Sequence, residues 1–425
     1  MSEAPIQVDS REELIYLLGE ASEIEHGLLC EYIYAQFSLK RGVDEGVTAA
    51  QLERIQVWEK TLIDIAKQEM LHLALATNIL TAIGAAPHFE RPNFPILCRW
   101  YPDDVRVALL PFGEQALRHF MFLERPEGMP LTDAPELQSS PGASRFVATP
   151  LTGGAEEWHT VGHLYRGIEA GLAHLVDRYG EDEVFIGPRE AQVTTDIFEW
   201  TELTAVTDLA SARLAIELIV EQGEGARGDW VPAHFGRFVG MLEDYRVVIA
   251  DDPSFEPARP VLPAFVRPPG DVEDPVVIDD PLTRRVADLF NAVYEVILQL
   301  QAREFAHGGE TPAELDTLAR TVKHAMNWVM RGLGPVLTRL PIGPSNPGKT
   351  AGPAFEIVTP ALFALPHCEA AWRILRQRFT QLAVATDDLA REPGFEDLAK
   401  LADDLRGFAR DFSVHLEERA AQGAR

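Results

Sequence analysis

The chain has 425 residues, of which 46% are hydrophobic, and this length predicts two domains or one domain with a substantial extension. Acidic side chains outnumber basic ones by 66 to 38, and the resulting net charge of −28 argues against nucleic acid or an anionic membrane surface as a partner. Three scattered cysteines do not make a disulfide framework, and neither a secretory leader nor an apolar run of roughly 18 residues is visible. We expect a soluble, cytoplasmic protein.

Helical periodicity dominates the first half of the sequence. Two long helices are predicted over about residues 11–40 and 49–83, and each opens with a capping box, Ser10 with Glu13 and Thr48 with Gln51. The helices predicted after them cover about residues 113–123, 155–179, 200–224 and 232–249.

A stretch rich in proline and aspartate covers residues 251–281 and cannot form a regular element. We interpret it as a linker between a bundle at residues 1–250 and a helical region at residues 282–425, which we expect to cover the bundle. The helices predicted in this region begin after Asp280 and Thr311 and span about residues 367–390 and 394–418. No alternating strand pattern is evident, so the predicted fold class is all-α.

The second long helix carries a carboxylate and an imidazole among apolar residues. Glu-x-x-His occurs four times, at Glu23/His26, Glu69/His72, Glu156/His159 and Glu304/His307, and helical phase separates these cases. Glu69 and His72 continue a stripe of core residues that steps by three or four, namely Trp58, Leu62, Ile65, Ala76 and Leu80. Both side chains are therefore predicted to face the core.

Glu25 lies on the core face of the first helix, in phase with Leu18, Ala21 and Leu28. A buried carboxylate is costly unless it is paired or bound to a metal, and two buried carboxylates repel each other. A divalent cation removes this conflict, as in four-helix carboxylate proteins that hold two metal ions. From phase alone a buried ion pair or a pocket acid stays open as the alternative.

A metal site of this kind needs ligands from the later helices as well. His163 lies on a helix face formed by small residues, and Glu224 continues the core stripe of Ile216 and Val220. Glycines flank Glu224, so the chain can break there and return His234 to the same place. The plainer interpretation of QGEG is a helix end with a surface acid. Glu31 and Glu221 are candidates for a supporting role beside the ligands.

These stretches resemble a known bacterial family. The segments EIEHGLLCEYIYAQFSLK, IAKQEMLHLALATNILTAIGAAP, TVGHLYRGIEAGL and IVEQGEG with a downstream HFGRF are similar to the ferritin-like region of the iminophenylpyruvate dimer synthases. Those enzymes couple oxidised amino-acid imines in violacein, rebeccamycin and staurosporine-type pathways. The resemblance covers about residues 10–360.

The resemblance implies a ferritin-like four-helix bundle, here with an additional C-terminal helical part, that binds two metal ions, iron foremost and manganese or zinc as alternatives. The ligands it implies are Glu25, Glu69, His72, His163, Glu224 and His234. His163 stands where the family usually carries glutamate, which leaves open whether both metal positions fill and which metal is preferred. The named synthases also contain a further large region, so the resemblance implies the metal scaffold and not the imine-coupling reaction.

The predicted function is that of a non-haem, di-iron oxidoreductase that uses O2 to oxidise a small organic, amino-acid-derived substrate. Glu69 would bridge the ions, Glu25 and Glu224 would be terminal or bridging ligands, and the three histidines would be terminal donors. Alternatives are a ferritin-like iron-oxidising protein without an organic substrate and a non-catalytic partner with a structural metal. Substrate and oligomeric state, including assembly into a homo-oligomer, are left open by the sequence.

Overall fold

A computed structural model describes residues 5–97, 106–134, 137, 158–198, 200–226, 229–268, 272, 274–358 and 365–423. The chain divides into two compact units, which are described separately. Unit 1 comprises Met1–His88, Phe94–Thr195 and Trp200–Arg259, and unit 2 comprises Phe89–Asn93, Asp196–Glu199 and Pro260–Arg425. The main division, after Arg259, falls inside the segment that was predicted to be a linker. That residues 282–425 cover the bundle stays a prediction.

Unit 1 is a helical bundle. Its helices are α1 (Arg11–Ser38), α2 (Ala49–Ala82), α3 (Glu114–Leu123), α4 (Val161–Tyr179), the short α5 (Glu181–Val184), α6 (Leu209–Gly223) and α7 (His234–Asp251). The long α1 and α2 pack along each other, α4 packs on α1 and α6, and α3 packs on α7. Two-residue strands β1 (Ile96–Leu97) and β2 (Arg106–Val107) pair antiparallel, and short 3-10 turns cover Val43–Glu45 and Arg189–Ala191.

The predicted helix starts of unit 1 are confirmed where a capping box marks them. Ser10 with Glu13 opens α1, and Thr48 with Gln51 opens α2. The helix predicted from residue 200 begins only at Leu209, because Asp208 is its N-cap and forms a capping box with Ser211. The helix predicted from residue 155 is seen from Val161, while Glu156 and the expected start lie outside the described residues.

Unit 2 is also mostly helical, with α8 (Pro281–Glu304), α9 (Pro312–His324), α10 (Arg331–Leu337), α11 (Cys368–Ala390) and α12 (Leu398–Gly423). A π-helical segment, Ala325–Met330, joins α9 to α10. Strands β3 (Val261–Ala264) and β4 (Thr350–Pro353) pair in parallel. The prediction of a mainly helical fold is confirmed. The strands were not predicted because segments of two to four residues are too short to show a periodic sequence pattern.

The core of each unit is apolar, and the polar exceptions in unit 1 locate its functional site. Glu25, Glu69, His72 and His234 are buried as completely as large core residues such as Trp58 and Phe238. Within the described parts of the chain, no helix is both long enough and apolar enough to cross a membrane.

Candidate metal centre

Three buried side chains from two helices converge in unit 1. Glu69 and His72 lie one turn apart on α2, and His234 is the first residue of α7. One ligand atom from each of the three lies within 4.8 Å of the other two. The three residues therefore form a cluster that can bind a metal ion, with the mixed oxygen and nitrogen donors that iron, manganese and zinc accept.

Each of the two imidazoles presents its Nδ1 atom to carboxylates. His72 Nδ1 lies 3.2 Å from Glu69 Oε2 and 3.4 Å from Glu25 Oε2. His234 Nδ1 lies 2.8 Å from Glu69 Oε1. The two rings are stacked with their centroids 5.4 Å apart, and the Nδ1 atom of each ring faces the carboxylate of Glu69.

The other ring nitrogens contact glutamine side chains. His72 Nε2 lies 3.0 Å from Gln222 Oε1, and His234 Nε2 lies 3.2 Å from Gln68 Oε1. Gln68 Oε1 also accepts a hydrogen bond from Arg237 Nη1 at 2.8 Å, which fixes the orientation of that amide. An amide oxygen only accepts, so Nε2 donates in each ring and the neutral ring carries its lone pair on Nδ1.

A third carboxylate, Glu124, lies at the same place. It caps the C-terminal end of α3, and its Oε1 is 3.4 Å from His234 Nδ1. Tyr32 donates its hydroxyl to Glu124 Oε1 at 2.5 Å, and Tyr165 donates its hydroxyl to Glu25 Oε1 at 2.8 Å. Two tyrosine hydroxyls thus orient the outer carboxylates, as partners of metal ligands commonly do.

The pKa values of these groups reflect burial and mutual contact. Burial raises the pKa of Glu25 to about 7, although His72 acts in the opposite direction. Burial alone would lower the pKa of His234, but Glu69 and Glu124 outweigh it and raise the pKa to about 9. Protons and a metal ion therefore compete for the same nitrogen and oxygen atoms.

The spacing of the donor atoms also suits a shared ion. Glu69 Oε1 and His234 Nδ1 are both buried and form an ion pair at 2.8 Å, but their geometry is not that of a good hydrogen bond. An ion about 2.1 Å from two donors at right angles separates those donors by about 3 Å. The two atoms are therefore spaced so that a metal ion can replace the proton between them.

Four of the six predicted ligands are brought together in the structure, namely Glu25, Glu69, His72 and His234. Glu224 is buried, but its carboxylate accepts the backbone N–H of Gly162 at 2.6 Å and that of Glu127 at 3.2 Å. His163 Nδ1 lies 3.3 Å from the backbone nitrogen of His159. No described contact joins Glu224 or His163 to the cluster, and their role as ligands stays a prediction.

Of the two residues predicted to support the ligands, Glu31 is fully buried but belongs to another cluster. Its Oε1 lies 3.3 Å from His119 Nε2, and His119 Nδ1 lies 2.7 Å from Asp133 Oδ2. The other residue, Glu221, is exposed on α6, whereas its neighbour Gln222 contacts His72. The supporting residues seen beside the ligands are therefore glutamines and tyrosines.

Glu124 was not among the predicted ligands. It follows Ala116 and Phe120 at intervals of four residues, so it continues the buried stripe of α3. Helical phase could therefore have indicated Glu124 as a ligand. It was missed because it lies one residue past the predicted helix end at residue 123 and is followed by Arg125 and a proline.

Buried carboxylates and imidazoles that converge from several helices define a class of helical-bundle metalloproteins. Comparison with known proteins agrees with this class, because the family model described as Ferritin-like matches residues 18–243. The match covers more than half of the sequence, and the chain belongs to the ferritin-like family.

Two curated relatives are each 27% identical to this chain. Dichlorochromopyrrolate synthase of Lentzea aerocolonigenes matches 91% of this chain and 40% of its own length. The 2-imino-3-(indol-3-yl)propanoate dimerase of Chromobacterium violaceum matches 82% of this chain and 34% of its own length. The chain thus spans less than half the length of these relatives. A crystal structure of a ferritin-like protein from Caulobacter vibrioides is 19% identical, covers 74% of this chain and 96% of its own, and has a TM-score of 0.46.

Proposed function

We propose that this protein is a non-haem metal-dependent oxidoreductase that holds two iron ions and uses O2 to oxidise a small organic substrate derived from an amino acid. The observation that carries the proposal is the pair of imidazoles whose Nδ1 atoms face the Glu69 carboxylate while their Nε2 atoms are occupied by glutamines. The carboxylates raise the pKa of both imidazoles, so protons occupy the Nδ1 positions when no metal is bound, and a metal ion would displace those protons and take their place between the rings and Glu69.

The residues of the centre divide the work of binding and orientation. Glu69 places Oε2 beside His72 and Oε1 beside His234. This arrangement suits a carboxylate that bridges two ions. Glu25 and Glu124 flank the cluster on opposite sides, beside His72 and His234 respectively. They supply the further anionic donors that two divalent ions need.

Iron bound here would supply the electrons for the reduction of O2. The chain itself contributes a site from which bulk water is excluded, because every member of the cluster is buried. The hydroxyls of Tyr32 and Tyr165 hold protons at Glu124 Oε1 and Glu25 Oε1, at the edge of the cluster where oxygen chemistry needs them.

The relatives support the substrate class. The name of one describes a dimerase of an imino acid with an indole ring, and that of the other describes a synthase. Both names belong to chains more than twice as long as the part that matches, so an oxidised amino-acid derivative is proposed here at the level of chemical class only.

The rival function is oxidation of iron without an organic substrate, which the match to the Ferritin-like family model favours. A purely structural metal is the remaining alternative. Stoichiometric O2 consumption that stops once all Fe(II) is oxidised indicates the rival, whereas repeated turnover that requires an organic reductant indicates the oxidoreductase.

The test is anaerobic reconstitution with Fe(II), followed by elemental analysis and measurement of O2 uptake. We expect roughly two ions per chain, as in other dimetal bundles. Glu69→Ala and His72→Ala should each lower the metal affinity by at least about 100-fold, because they remove ligands and not their supporting partners. Helix content should stay close to that of the wild type.

A matched control is the half-exposed pair Glu23 and His88, whose carboxylate and imidazole lie 3.0 Å apart in the same unit. Glu23→Ala and His88→Ala remove the same chemical groups and should leave the bound iron unchanged. Equal iron content in Glu69→Ala and Glu23→Ala would refute the assignment of the centre.

A further inference from the structure

The metal centre lies in the middle of a row of seven buried side chains, each in contact with the next. In order, the row is Tyr165, Glu25, His72, Glu69, His234, Glu124 and Tyr32. The row is symmetric in residue type, because a tyrosine, a glutamate and a histidine follow one another from either end to Glu69. Each half therefore offers one imidazole, one carboxylate and one phenol to an ion that Glu69 shares.

Tyr165 brings α4 to the centre. Its side chain is fully buried, and its hydroxyl donates to Glu25 Oε1 at 2.8 Å. Gly167, two residues further along, points about 200° away around the helix and shares this outer face with His163. A Cβ placed at Gly167 would lie 2.7 Å from Ile6 Cβ, so the outer face of α4 packs against the N-terminal segment. The face of α4 that reaches the centre thus presents a phenol.

At the Tyr32 end of the row, the phenol and the imidazole share one carboxylate oxygen. Tyr32 donates to Glu124 Oε1 at 2.5 Å, and the same atom lies 3.4 Å from His234 Nδ1. The ring of Tyr32 stands edge-on to Phe120 with the centroids 4.8 Å apart, which fixes its position. The oxygen that would take the proton of Tyr32 is therefore also the oxygen that faces the ion site, so Tyr32 stays a hydrogen-bond donor.

At the Tyr165 end, the phenol and the imidazole use different oxygens of one carboxylate. Glu25 Oε2 lies 3.4 Å from His72 Nδ1, whereas Tyr165 donates to Glu25 Oε1. An ion beside His72 that binds Oε2 leaves Oε1 as an acceptor for the phenol proton. Tyr165 can thus give up its proton without displacing Glu25 from the ion.

We propose that Tyr165 is a ligand of oxidised iron, and that its oxygen binds Fe(III) as a phenolate on the His72 side of the centre while Tyr32 keeps its proton. The O–H bond of Tyr165 breaks and an Fe–O bond forms. The proton passes to Glu25 Oε1 along the existing hydrogen bond and then to the buffer, and no electron is transferred.

The donor type suits the ion. Tyrosine oxygen serves as an iron ligand in haem proteins. A further anionic oxygen stabilises a trivalent ion more than a divalent one, because the attraction grows with the charge of the ion. The inference rests on the proposed binding of iron at this centre, and it makes the two iron positions unequal, since only the one beside His72 gains a phenolate.

The test is the visible spectrum of the ferric protein. A phenolate bound to Fe(III) absorbs visible light by charge transfer from the ring to the ion, whereas carboxylate and imidazole ligands absorb mainly in the near ultraviolet. The full chain is loaded with Fe(II) without oxygen and oxidised with ferricyanide, which is then removed by gel filtration. We expect a visible band that zinc-loaded protein lacks.

Resonance Raman spectra excited in this band should contain tyrosine ring vibrations, which shift when the protein is made with ring-deuterated tyrosine. This measurement needs no variant, so it decides the matter even if a substitution prevents folding. Ferric protein that contains iron but lacks the band, or a band without tyrosine vibrations, would overturn the proposal.

Three variants locate the phenolate. Tyr165→Phe keeps the ring and removes the hydroxyl, so it should bind iron but lose the visible band per bound iron. Tyr32→Phe should keep the band. Tyr34→Phe is the matched control, because Tyr34 is equally buried in unit 1 and its hydroxyl forms no hydrogen bond with the described residues. A band that persists in Tyr165→Phe, or one that is lost in Tyr32→Phe alone, contradicts the assignment.

Failure of the proposed function gives a different result. If the band depends on Tyr165 but the Fe(II) protein consumes O2 without any organic substrate, the proposed oxidation is wrong and the ligand assignment holds. If an organic substrate supports repeated O2 turnover but the ferric protein lacks the band, only the ligand assignment is wrong. Protein that binds no iron refutes both.

Discussion

Unit 1 contains two buried clusters of histidine and carboxylate that differ in how the ring nitrogens are used. In the cluster of Glu31, His119 and Asp133, the two nitrogens of one imidazole face different carboxylates on opposite sides of the ring. No single ion can reach both carboxylates and a free nitrogen there. In the metal centre, by contrast, Nδ1 atoms of two rings converge on one carboxylate.

The difference shows that composition and burial alone do not identify a metal site. Both clusters contain histidine and acid residues, and both are buried. Both also bind a proton tightly, since neighbouring carboxylates outweigh the effect of burial and raise the pKa of His119 and that of His234 to about 9. The convergence of two Nδ1 atoms on the single carboxylate of Glu69 is the distinguishing feature.

Replacement of the histidine in the first cluster should give the largest change in stability. His119→Leu leaves two buried carboxylates without their cation, and we expect a loss of about 3–5 kcal/mol in the free energy of unfolding at pH 7. The bound iron should remain. Urea denaturation and elemental analysis measure the two quantities, and loss of iron together with unchanged stability would contradict the comparison.

The same cluster predicts the pH dependence of stability. The pKa of His119 is raised above its unfolded value, so its stabilisation is fully present below about pH 6.5 and is lost as the pH rises through about 9. Denaturation of the wild type at pH 7 and pH 10 should show this loss, and His119→Leu should show a smaller one, because His234, whose pKa is also raised to about 9, still contributes.

The contacts outside the ligands should have an intermediate effect. Gln222→Leu removes the acceptor at His72 Nε2, which lies 3.0 Å away, and frees the ring to change tautomer or rotate. We expect a 10- to 100-fold loss of iron affinity, about the usual effect of such partners, with little change in stability. Glu221→Leu, on the neighbouring exposed residue, should leave the affinity unchanged in a competition titration with a chelator.

A buried carboxyl in unit 2, Glu304, shows what an acid without a hydrogen bond does to stability where there is no metal site to consider. Both oxygens of Glu304 are buried without a hydrogen-bond partner among the described residues, and Glu304 belongs to no described group of three side chains that could hold a metal ion. Burial raises its pKa to about 8, so the folded state keeps a proton that the unfolded chain releases near pH 4.5. Stability should therefore fall as the pH rises from about 4.5 to about 8.

Glu304→Gln removes this penalty. We expect a gain of about 1–3 kcal/mol in the free energy of unfolding at pH 8.5 and little gain at pH 4.5, where the wild-type carboxyl is protonated in the folded state and about half protonated in the unfolded chain. Denaturation at the two pH values is the measurement. Glu396→Gln, at an exposed position of the same unit, is the control. A gain of equal size at both pH values would show that the cause is not ionisation.

The sequence allowed the α1 and α2 half of the centre to be predicted because that information is local. Capping boxes set the start of both helices, and the uninterrupted helical period then fixes the faces on which Glu25, Glu69 and His72 lie. Their convergence in the structure agrees with this prediction.

The other half lies at helix ends, where helical phase is a weaker guide because the helix stops within a residue of the side chain. Glu124 caps the end of α3, His234 begins α7, and Glu224 caps the end of α6. A side chain at such a position can turn either to a metal site or to a neighbouring helix terminus, as Glu224 does. The break in the helix before His234 predicted that the chain would bring His234 back to the centre, and the structure places His234 beside Glu69. The contact of Glu224 with the start of α4 depends on the packing of distant segments, which no local sequence pattern encodes.

The most direct test of the central claim is anomalous X-ray diffraction at the iron edge from crystals reconstituted with Fe(II). One anomalous peak should lie about 2.0–2.4 Å from Glu69 and His72 Nδ1, on the side of Glu25. A second peak should lie at a similar distance from Glu69 and His234 Nδ1, on the side of Glu124. The same map tests whether Glu224 and His163 are ligands. Iron bound elsewhere, or no peak between Glu69, His72 and His234 in fully reconstituted protein, would contradict the account.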